Sequence, residues 1–236
     1  MTAQGPRSKV GAVTETAPPI RYGLIAPRAP EGAVDLNEVL PGTGPIEIDI
    51  GFGRGMSVFE RARVAPGSRI LGIEIKSKLA TWVDERRKRE GLDRVRIFCG
   101  DAREILSRTG PDGSVARVFV HFPDPWWKKR HQHRRVVGEA FLDEVARLLE
   151  PGGELYVQTD VEDRAQLYLD AIREHPAFLL ATPTGLIEKN PYGARSNRER
   201  RADEDGLPVY RILAQRRGLA ALPGRDPKCG GSLAER

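Results

Sequence analysis

The stretch that decides the fold of this chain is IEIDIGFGRG, residues 46–55. An apolar strand runs into glycines at every second position, Gly51, Gly53 and Gly55, and a helical pattern follows from Met56. Glycine lets a backbone turn sharply and approach a ligand where any Cβ would collide. Because G-x-G-x-G occurs both in dinucleotide-binding proteins and in ordinary tight turns, the stretch predicts a strand–loop–helix unit and leaves its ligand open.

Strands and helices alternate downstream of this unit. Further apolar strands are predicted at 69–75, 94–99, 115–122, 154–159 and 207–213, and helices at 77–90, 136–149 and 161–174. This alternation is typical of an α/β fold with a mainly parallel sheet.

The two ends of the chain show no sustained hydrophobic period. We therefore expect a flexible N-terminal extension over residues 1–40, with a short ordered stretch near residues 20–25, and a disordered C-terminal tail over 218–236. Residues 41–217 are expected to form one domain.

The bulk composition excludes several classes of protein. No apolar run approaches the ~20 residues that span a bilayer, and the N-terminus lacks the apolar segment of a secretory signal. The chain has 2 cysteines in 236 residues, so we expect no disulfide framework and a cytoplasmic location. The 38 Lys and Arg against 33 Asp and Glu give a net charge of +5, which is compatible with a polyanionic partner but does not establish one.

Three acidic residues lie at the carboxyl ends of three successive predicted strands. Glu74 ends the second strand, where a carboxylate can accept hydrogen bonds from the hydroxyls of an adenosine ribose. Asp101 follows the third strand and could reach an adenine, and Asp49 could meet an ammonium group. A ligand with an ammonium, a ribose and an adenine fits this set better than a pyrophosphate does. Each acid taken singly could instead be a helix N-cap.

The segment VFVHFPDPWWKKRHQHRR, residues 118–135, is the most specific in the chain. Asp124 lies between two prolines directly after a strand, and prolines fix φ and so hold a turn rigid. The cations that follow can neutralise phosphates, and Trp126 or Trp127 could stack on a base. Without further context, the charge run favours a stiff turn with a solvated basic face.

This segment closely resembles the pattern F-F-P-D-P-W-x-K-x-R-H-x-x-R-R of the bacterial tRNA (guanine-N7)-methyltransferases, with His121 in place of the first Phe. The family's segments E-I-G-x-G-x-G, G-I-E and T-D-x-E have counterparts, in the same order, at 49–55, 72–74 and 159–162. Its T-x-F-E-x-R segment corresponds to 196–201, where Ser replaces Thr and Arg198 replaces an aromatic residue. The resemblance covers roughly residues 45 to 217.

The resemblance implies a Rossmann-like class I methyltransferase fold, with a mainly parallel seven-stranded sheet and helices on both faces. It implies transfer of a methyl group from S-adenosylmethionine (SAM) to N7 of a guanine in the tRNA variable loop, with Asp124 as the catalytic residue. The expected cofactor-binding residues are Asp49, Gly51, Gly53, Gly55, Glu74, Asp101 and Asp124. The expected substrate-binding residues are Lys128, Arg130, Arg134, Arg135, Asp160, Ser196, Asn197, Arg198 and Glu199.

Two other functions share parts of this pattern. A SAM-dependent methyltransferase of a small molecule or a protein would keep the cofactor half but would not explain the basic segment. A catalytically inactive RNA-binding Rossmann module would keep the fold, although the retained acids argue against it. We expect no metal site, because the histidines of His131-Gln132-His133 lack Cys or carboxylate neighbours, and we expect a monomer or a homodimer.

Overall fold

The structure is a computed structural model of the chain, and it describes residues 21–123 and 137–218. The predictions for 1–20 and 219–236 lie outside the described residues. Helices span Tyr22–Ile25 (α1), Leu36–Val39 (α2), Met56–Val64 (α3), Ser77–Arg89 (α4), Ala102–Ser107 (α5), Glu139–Leu148 (α6), Glu162–Glu174 (α7) and Asn197–Glu204 (α8). Strands span Val34–Asp35 (β1), Ile46–Ile50 (β2), Arg69–Glu74 (β3), Val95–Cys99 (β4), Thr109–Gly110 (β5), Val115–His121 (β6), Leu149–Thr159 (β7), Phe178–Leu180 (β8) and Tyr210–Arg216 (β9).

A seven-stranded sheet in the order β4-β3-β2-β6-β7-β9-β8 forms the centre of the molecule. The strands β4, β3, β2, β6 and β7 pair in parallel, and β9 pairs antiparallel with both β7 and β8. The predicted mainly parallel seven-stranded sheet is therefore confirmed. The strand order reverses between β2 and β6, and ligands of open α/β sheets bind at the carboxyl ends of strands beside such a point.

The two faces of the sheet carry separate apolar layers, because side chains alternate along a strand. Ile48 and Ile50 of β2 pack into a large cluster that includes buried residues of α5, α6 and α7. Ile70 of β3 points to the other face and packs against Val58 of α3 and Val83 of α4. Helices cover both faces of the sheet, as predicted.

The packed part of the chain begins before residue 41, where we expected the domain to start. Val34, Leu36 and Leu40 are buried in the large apolar cluster, and β1 pairs with β5 in a small parallel sheet. These elements are two to four residues long, which is too short to show a hydrophobic period. The short ordered stretch expected near residues 20–25 contains α1.

Two strand boundaries also differ from the expectation. β7 begins at Leu149 rather than at residue 154, because Pro151-Gly152-Gly153 continues as strand after ending the helix. A Cβ on Gly153 would lie 2.9 Å from the Glu150 carbonyl oxygen and 3.1 Å from that of Val115, so glycine is needed for this close approach of backbones. β9 begins at Tyr210 rather than at 207, because Pro208 has no N–H to donate to a ladder.

Candidate active site

The glycine loop joins β2 to α3, and its three glycines have φ values of 71°, 58° and 77°. Gly51 and Gly53 line a cleft of about 650 Å³, and a Cβ on either would meet no protein atom within 4 Å. Gly55 differs, since a Cβ there would lie 2.7 Å from Cγ2 of Val83. The first two glycines therefore keep the cleft open, and the third allows α3 to pack on α4.

Glu74 braces this loop from the neighbouring strand. Its Oε2 accepts a hydrogen bond from the Gly53 amide at 2.9 Å, and its Oε1 accepts one from the Lys76 amide at 2.9 Å. Each carboxylate oxygen can accept a second hydrogen bond. The side chain is therefore fixed in orientation and keeps acceptor capacity, although Glu74 is buried and is not among the residues that line the cleft.

Asp49 is buried beneath the loop rather than exposed in the cleft. The Ser57 hydroxyl donates to its Oδ2 at 2.6 Å, and His121 Nε2 lies 4.0 Å from the same oxygen. Its Oδ1 has no hydrogen-bond partner among the described residues. Burial raises the pKa of Asp49, and this effect outweighs the opposite effects of His121 and Ser57.

We expect Asp49→Asn to raise the free energy of unfolding of the ligand-free protein at neutral pH. Burial raises the folded-state pKa of Asp49 above its ordinary value of 3.8. The contribution of Asp49 to the wild-type free energy of unfolding is therefore highest below pH 3.8, where Asp49 is protonated in both states, and it falls as the pH rises through the folded-state pKa. The neutral amide avoids this loss. Urea unfolding at several pH values from about 4 to about 8 should show a gain in the free energy of unfolding that grows with pH.

Asp163→Asn is the matched control for this experiment, because Asp163 is an exposed acid on α7. Its free energy of unfolding should stay within about 1 kcal/mol of the wild type at every pH, which is the contribution of an acid in the first turn of a helix. A less stable Asp49→Asn variant at neutral pH would contradict the prediction.

Asp101 is the N-cap of α5. Its Oδ1 accepts from the Arg103 amide at 3.0 Å, and its Oδ2 accepts from Arg103 Nη2 at 2.6 Å. The side-chain hydrogen bonds from Arg103 lower the pKa of Asp101, so the carboxylate is ionised at neutral pH. The N-cap alternative for a single acid therefore applies here, and Asp101 is not among the residues that line the cleft.

The opposite wall of the same cleft contains Asp160, Ser196, Asn197 and Arg198. Asp160 directly follows β7, and the other three lie at the start of α8. The sequence places these two groups more than thirty residues apart, and the structure brings them together facing the glycine loop. Gly51 and Gly53, which were predicted for the cofactor, thus share one cleft with four residues predicted for the substrate.

An ion pair joins the two parts of this wall. Arg198 Nε donates to Asp160 Oδ2 at 2.8 Å, and Arg198 Nη2 donates to the same oxygen. The side chain of Arg198 is 48% exposed and that of Asp160 is 13% exposed. The pair lies at the surface of the cleft rather than in the core.

Ser196 and Glu199 have mainly structural contacts. The Ser196 hydroxyl accepts from the Glu199 amide at 3.1 Å and so caps α8. Glu199 is fully buried, and its Oε1 accepts from Arg211 Nη2 at 3.0 Å. It faces a second cleft with Asn190 and Arg211, so the structure does not bring it to the predicted target-base side. The spacing Ser-x-x-Glu is that of a capping box and could have predicted α8.

The remaining predicted residues, Asp124, Lys128, Arg130, Arg134 and Arg135, lie outside the described residues. The described chain that leads to them ends at the cleft, where Phe122 and Pro123 line its wall. Phe122 has a φ of 48°, a conformation that is rare for a residue other than glycine. Its amide donates to the Gln158 carbonyl at 2.8 Å, which holds this turn on β7.

Several residues of the site were not predicted from the sequence. His121 lines the cleft, and its Nδ1 lies 2.7 Å from Oε1 of Gln158. Three further cations line the cleft, namely Arg54, Lys76 and Arg201. Together with Arg198 they face one acid, Asp160, among the described residues, so the cleft is positively charged. Arg54 lies inside the glycine loop and Lys76 follows Glu74 closely. Their closeness in sequence to predicted site residues could have identified these two cations.

No helix within 21–123 or 137–218 is long and apolar enough to cross a membrane. The same part of the chain contains no group of three His, Cys, Asp or Glu residues that could hold a metal ion.

Comparison with known proteins agrees with this geometry. The family described as "Putative methyltransferase" matches residues 43–212. The tRNA (guanine-N(7)-)-methyltransferase of Synechococcus sp. (strain JA-3-3Ab) is 36% identical over 173 residues, which cover 73% of this chain and 73% of that protein. The enzyme of the same name from Methylococcus capsulatus (strain ATCC 33009 / NCIMB 11132 / Bath) is 34% identical over 197 residues, which cover 83% of this chain and 84% of that protein.

A solved structure supports the fold. The 16S rRNA methyltransferase KamB is similar with a TM-score of 0.56 and 16% identity, covering 78% of this chain and 93% of that one. At this identity the likeness concerns the fold alone. The two tRNA (guanine-N(7)-)-methyltransferases are more than 30% identical to this chain, and the aligned residues cover most of both proteins. The chain therefore belongs to the family of tRNA (guanine-N(7)-)-methyltransferases.

Proposed function

We propose that this chain transfers the methyl group of SAM to N7 of a guanine in the variable loop of tRNA. The observation that carries the proposal is the single cleft of about 650 Å³, which has the glycine loop on one wall and Asp160, Asn197 and Arg198 on the other. A methyl donor held at the loop and a base held at the opposite wall would meet there.

The residues of the cofactor wall fit SAM. Gly51 and Gly53 leave open space where any side chain would intrude, and Glu74 is oriented by two backbone amides. The unpartnered Oδ1 of Asp49 is an acceptor below the loop. We propose that these residues hold the cofactor, which supplies a methyl group on a positively charged sulfur.

Methyl transfer to guanine N7 depends mainly on the alignment of N7 with the methyl carbon. Guanine N7 has a free lone pair at neutral pH, so no base is needed to deprotonate it. Holding the nucleophile and the methyl carbon in line can lower the barrier by roughly 7–11 kcal/mol. Positive charge develops on the purine during transfer, and a nearby carboxylate stabilises it in a site shielded from water. We propose Asp124 for this role, on the resemblance of its segment to the family pattern.

The target-base side suits guanine. A carboxylate such as Asp160 can accept from guanine N1–H and N2–H₂, two donors that adenine does not present together. Asn197 adds a second polar group, since its Oδ1 is buried and has no hydrogen-bond partner among the described residues. Ser196 and Glu199 would then support this wall by fixing the start of α8.

The charge of the cleft suits RNA. Arg54, Lys76 and Arg201 line it with no acid paired to them among the described residues, and cations of this kind bind phosphates. We propose that Lys128, Arg130, Arg134 and Arg135 extend this surface along the tRNA backbone. We also propose that the enzyme works in the cytoplasm as a monomer or a homodimer.

The test is transfer of a labelled methyl group from SAM to unmodified tRNA transcripts, followed by aniline cleavage, which reports N7-methylguanine. We expect label in the tRNA and scission at one guanine of the variable loop. The control is the same transcript with that guanine replaced by adenine, which should take up no label.

Other outcomes would revise the proposal. Label without scission would reject N7 as the acceptor atom. Absence of label despite SAM binding would favour a small-molecule or protein substrate, and affinity for tRNA that does not fall with rising salt would count against phosphate contacts. Absence of SAM binding would favour an inactive RNA-binding module.

A further inference from the structure

Arg198 occupies an unusual position for a residue of a structural ion pair. Its side chain is half exposed in the cleft and donates through Nε and Nη2 to one oxygen of Asp160. Within the described residues, neither Nη1 of Arg198 nor Oδ1 of Asp160 has a hydrogen-bond partner. The pair therefore leaves Nη1 as a donor and Oδ1 as an acceptor that no described residue uses.

The pair is not needed to hold α8 in place. Ser196 caps the helix, Glu199 binds Arg211 of β9, and Arg200 forms an ion pair with Glu60 of α3. The last two contacts tie α8 to β9 and to α3 independently of Arg198. Arg198 is therefore available to bind a ligand, because the position of α8 does not depend on its ion pair with Asp160.

We propose that Arg198 determines guanine specificity by donating a hydrogen bond to guanine O6, while Asp160 accepts from N1–H and N2–H₂. This inference rests on the proposed function. The Watson–Crick edge of guanine presents one acceptor followed by two donors, and a guanidinium joined to a carboxylate is the complement of that pattern. N7 lies on the other edge of the base and remains available to the methyl group.

Adenine fails against the same pair at two positions. Its 6-amino group is a donor and would face the Arg198 guanidinium, and its N1 is an acceptor and would face the Asp160 carboxylate. Two donors or two acceptors facing each other in a cleft leave both groups without a partner. The aromatic residue of the family pattern could stack on a base but could not distinguish O6 from an amino group.

The test compares three tRNAs that differ only at the target base and all keep N7. Guanine is the reference, 2-aminopurine lacks O6 and N1–H, and hypoxanthine keeps both but lacks the 2-amino group. The kcat/KM for methyl transfer is measured for wild type and Arg198→Ala. We expect the preference for guanine over 2-aminopurine to fall about tenfold in the variant. The preference over hypoxanthine should stay within about twofold, because Asp160 reads the 2-amino group.

Arg195→Ala is the matched control. Arg195 lies three residues earlier, is 50% exposed and pairs with Asp203 at 3.4 Å, but it faces the second cleft. This variant should keep both preferences. Intrinsic differences in N7 reactivity among the three bases cancel, because each ratio is compared between proteins. Arg198→Phe restores the residue type of the family pattern and should lose the same preference, so it decides the question if the alanine variant does not fold.

Three results would overturn the proposal. An unchanged preference for guanine over 2-aminopurine in Arg198→Ala would show that Arg198 does not contact guanine O6. A rise in kcat/KM for the guanine tRNA in Arg198→Ala would mean that the ion pair blocks the base site and must break before the substrate binds. Equal loss of both preferences would mean that Arg198 acts only by positioning Asp160. Failure of the wild type to methylate the guanine tRNA would instead reject the proposed function itself.

Discussion

Replacing Asp160 with asparagine is expected to lower kcat/KM for tRNA roughly 100-fold and to leave the Kd for SAM unchanged. The amide keeps the shape of the side chain but removes its charge and replaces one acceptor by a donor. The neutral amide is a weaker acceptor for guanine N1–H and N2–H₂ than a carboxylate is, and Arg198 would lose its ionic partner. Methyl-transfer kinetics and equilibrium binding of SAM measure the two quantities separately.

Asp163→Asn is the control for this experiment as well, because it makes the same chemical change at an exposed acid three residues further along. It should leave kcat/KM close to that of the wild type. If Asp160→Asn lost less than about threefold in kcat/KM, a bidentate contact from this carboxylate to the base would be excluded. If it weakened SAM binding to the same extent as tRNA methylation, Asp160 would belong to the cofactor wall instead.

Replacing Glu47 with alanine is expected to lower the free energy of unfolding by about 3–5 kcal/mol. Glu47 lies in β2 and is completely buried. Its carboxylate accepts from Arg61 at 2.7 Å through both oxygens, from Arg117 at 3.1 Å and from the Ser68 hydroxyl at 3.0 Å. Removing it leaves the Arg61 guanidinium in a mostly buried position without a counter-charge, and an uncompensated buried charge is the costly case.

Urea unfolding and thermal melting would measure this loss, and Tm should fall by roughly 10 °C for a chain of this size. Glu154→Ala is the matched control, because Glu154 binds the same Arg117 at 2.9 Å but is partly exposed. Its effect should be smaller, about 1–3 kcal/mol, because the exposed ion pair contributes little and the buried Tyr192 hydroxyl loses its acceptor. A loss of similar size in both variants would show that burial of Glu47 does not set the cost.

The Glu47 network also reaches the target-base side. Arg61 donates through Nη1 to the Tyr192 carbonyl at 2.9 Å, and the Tyr192 hydroxyl donates to Glu154 at 3.2 Å. Tyr192 lies four residues before Ser196, which caps α8. We therefore expect any folded fraction of the Glu47→Ala variant to show a raised KM for tRNA, because the segment that leads into α8 loses one of its attachments to α3.

Much of the fold followed from local patterns in the sequence. The strand 46–50 and the helix that follows it were predicted nearly to the residue, because an apolar run, three spaced glycines and a helical period occur within twenty residues. The sequence did not reveal α5, β8 or the β1–β5 pair, which are six residues long or shorter. Elements of this length have no period to detect and are stabilised by the partners they meet in the folded chain.

For the active site, the sequence by itself determined which residue types were available and which strand ends they follow. It did not determine which hydrogen-bond and ion-pair partners these residues have in the folded chain. Only the tertiary structure decided that Glu199 is buried against Arg211, and that Arg198 and Asp160 face the glycine loop as a pair. The reason is physical: strand and helix periods are local, whereas a hydrogen bond between residues 38 positions apart depends on how the sheet and α8 pack together.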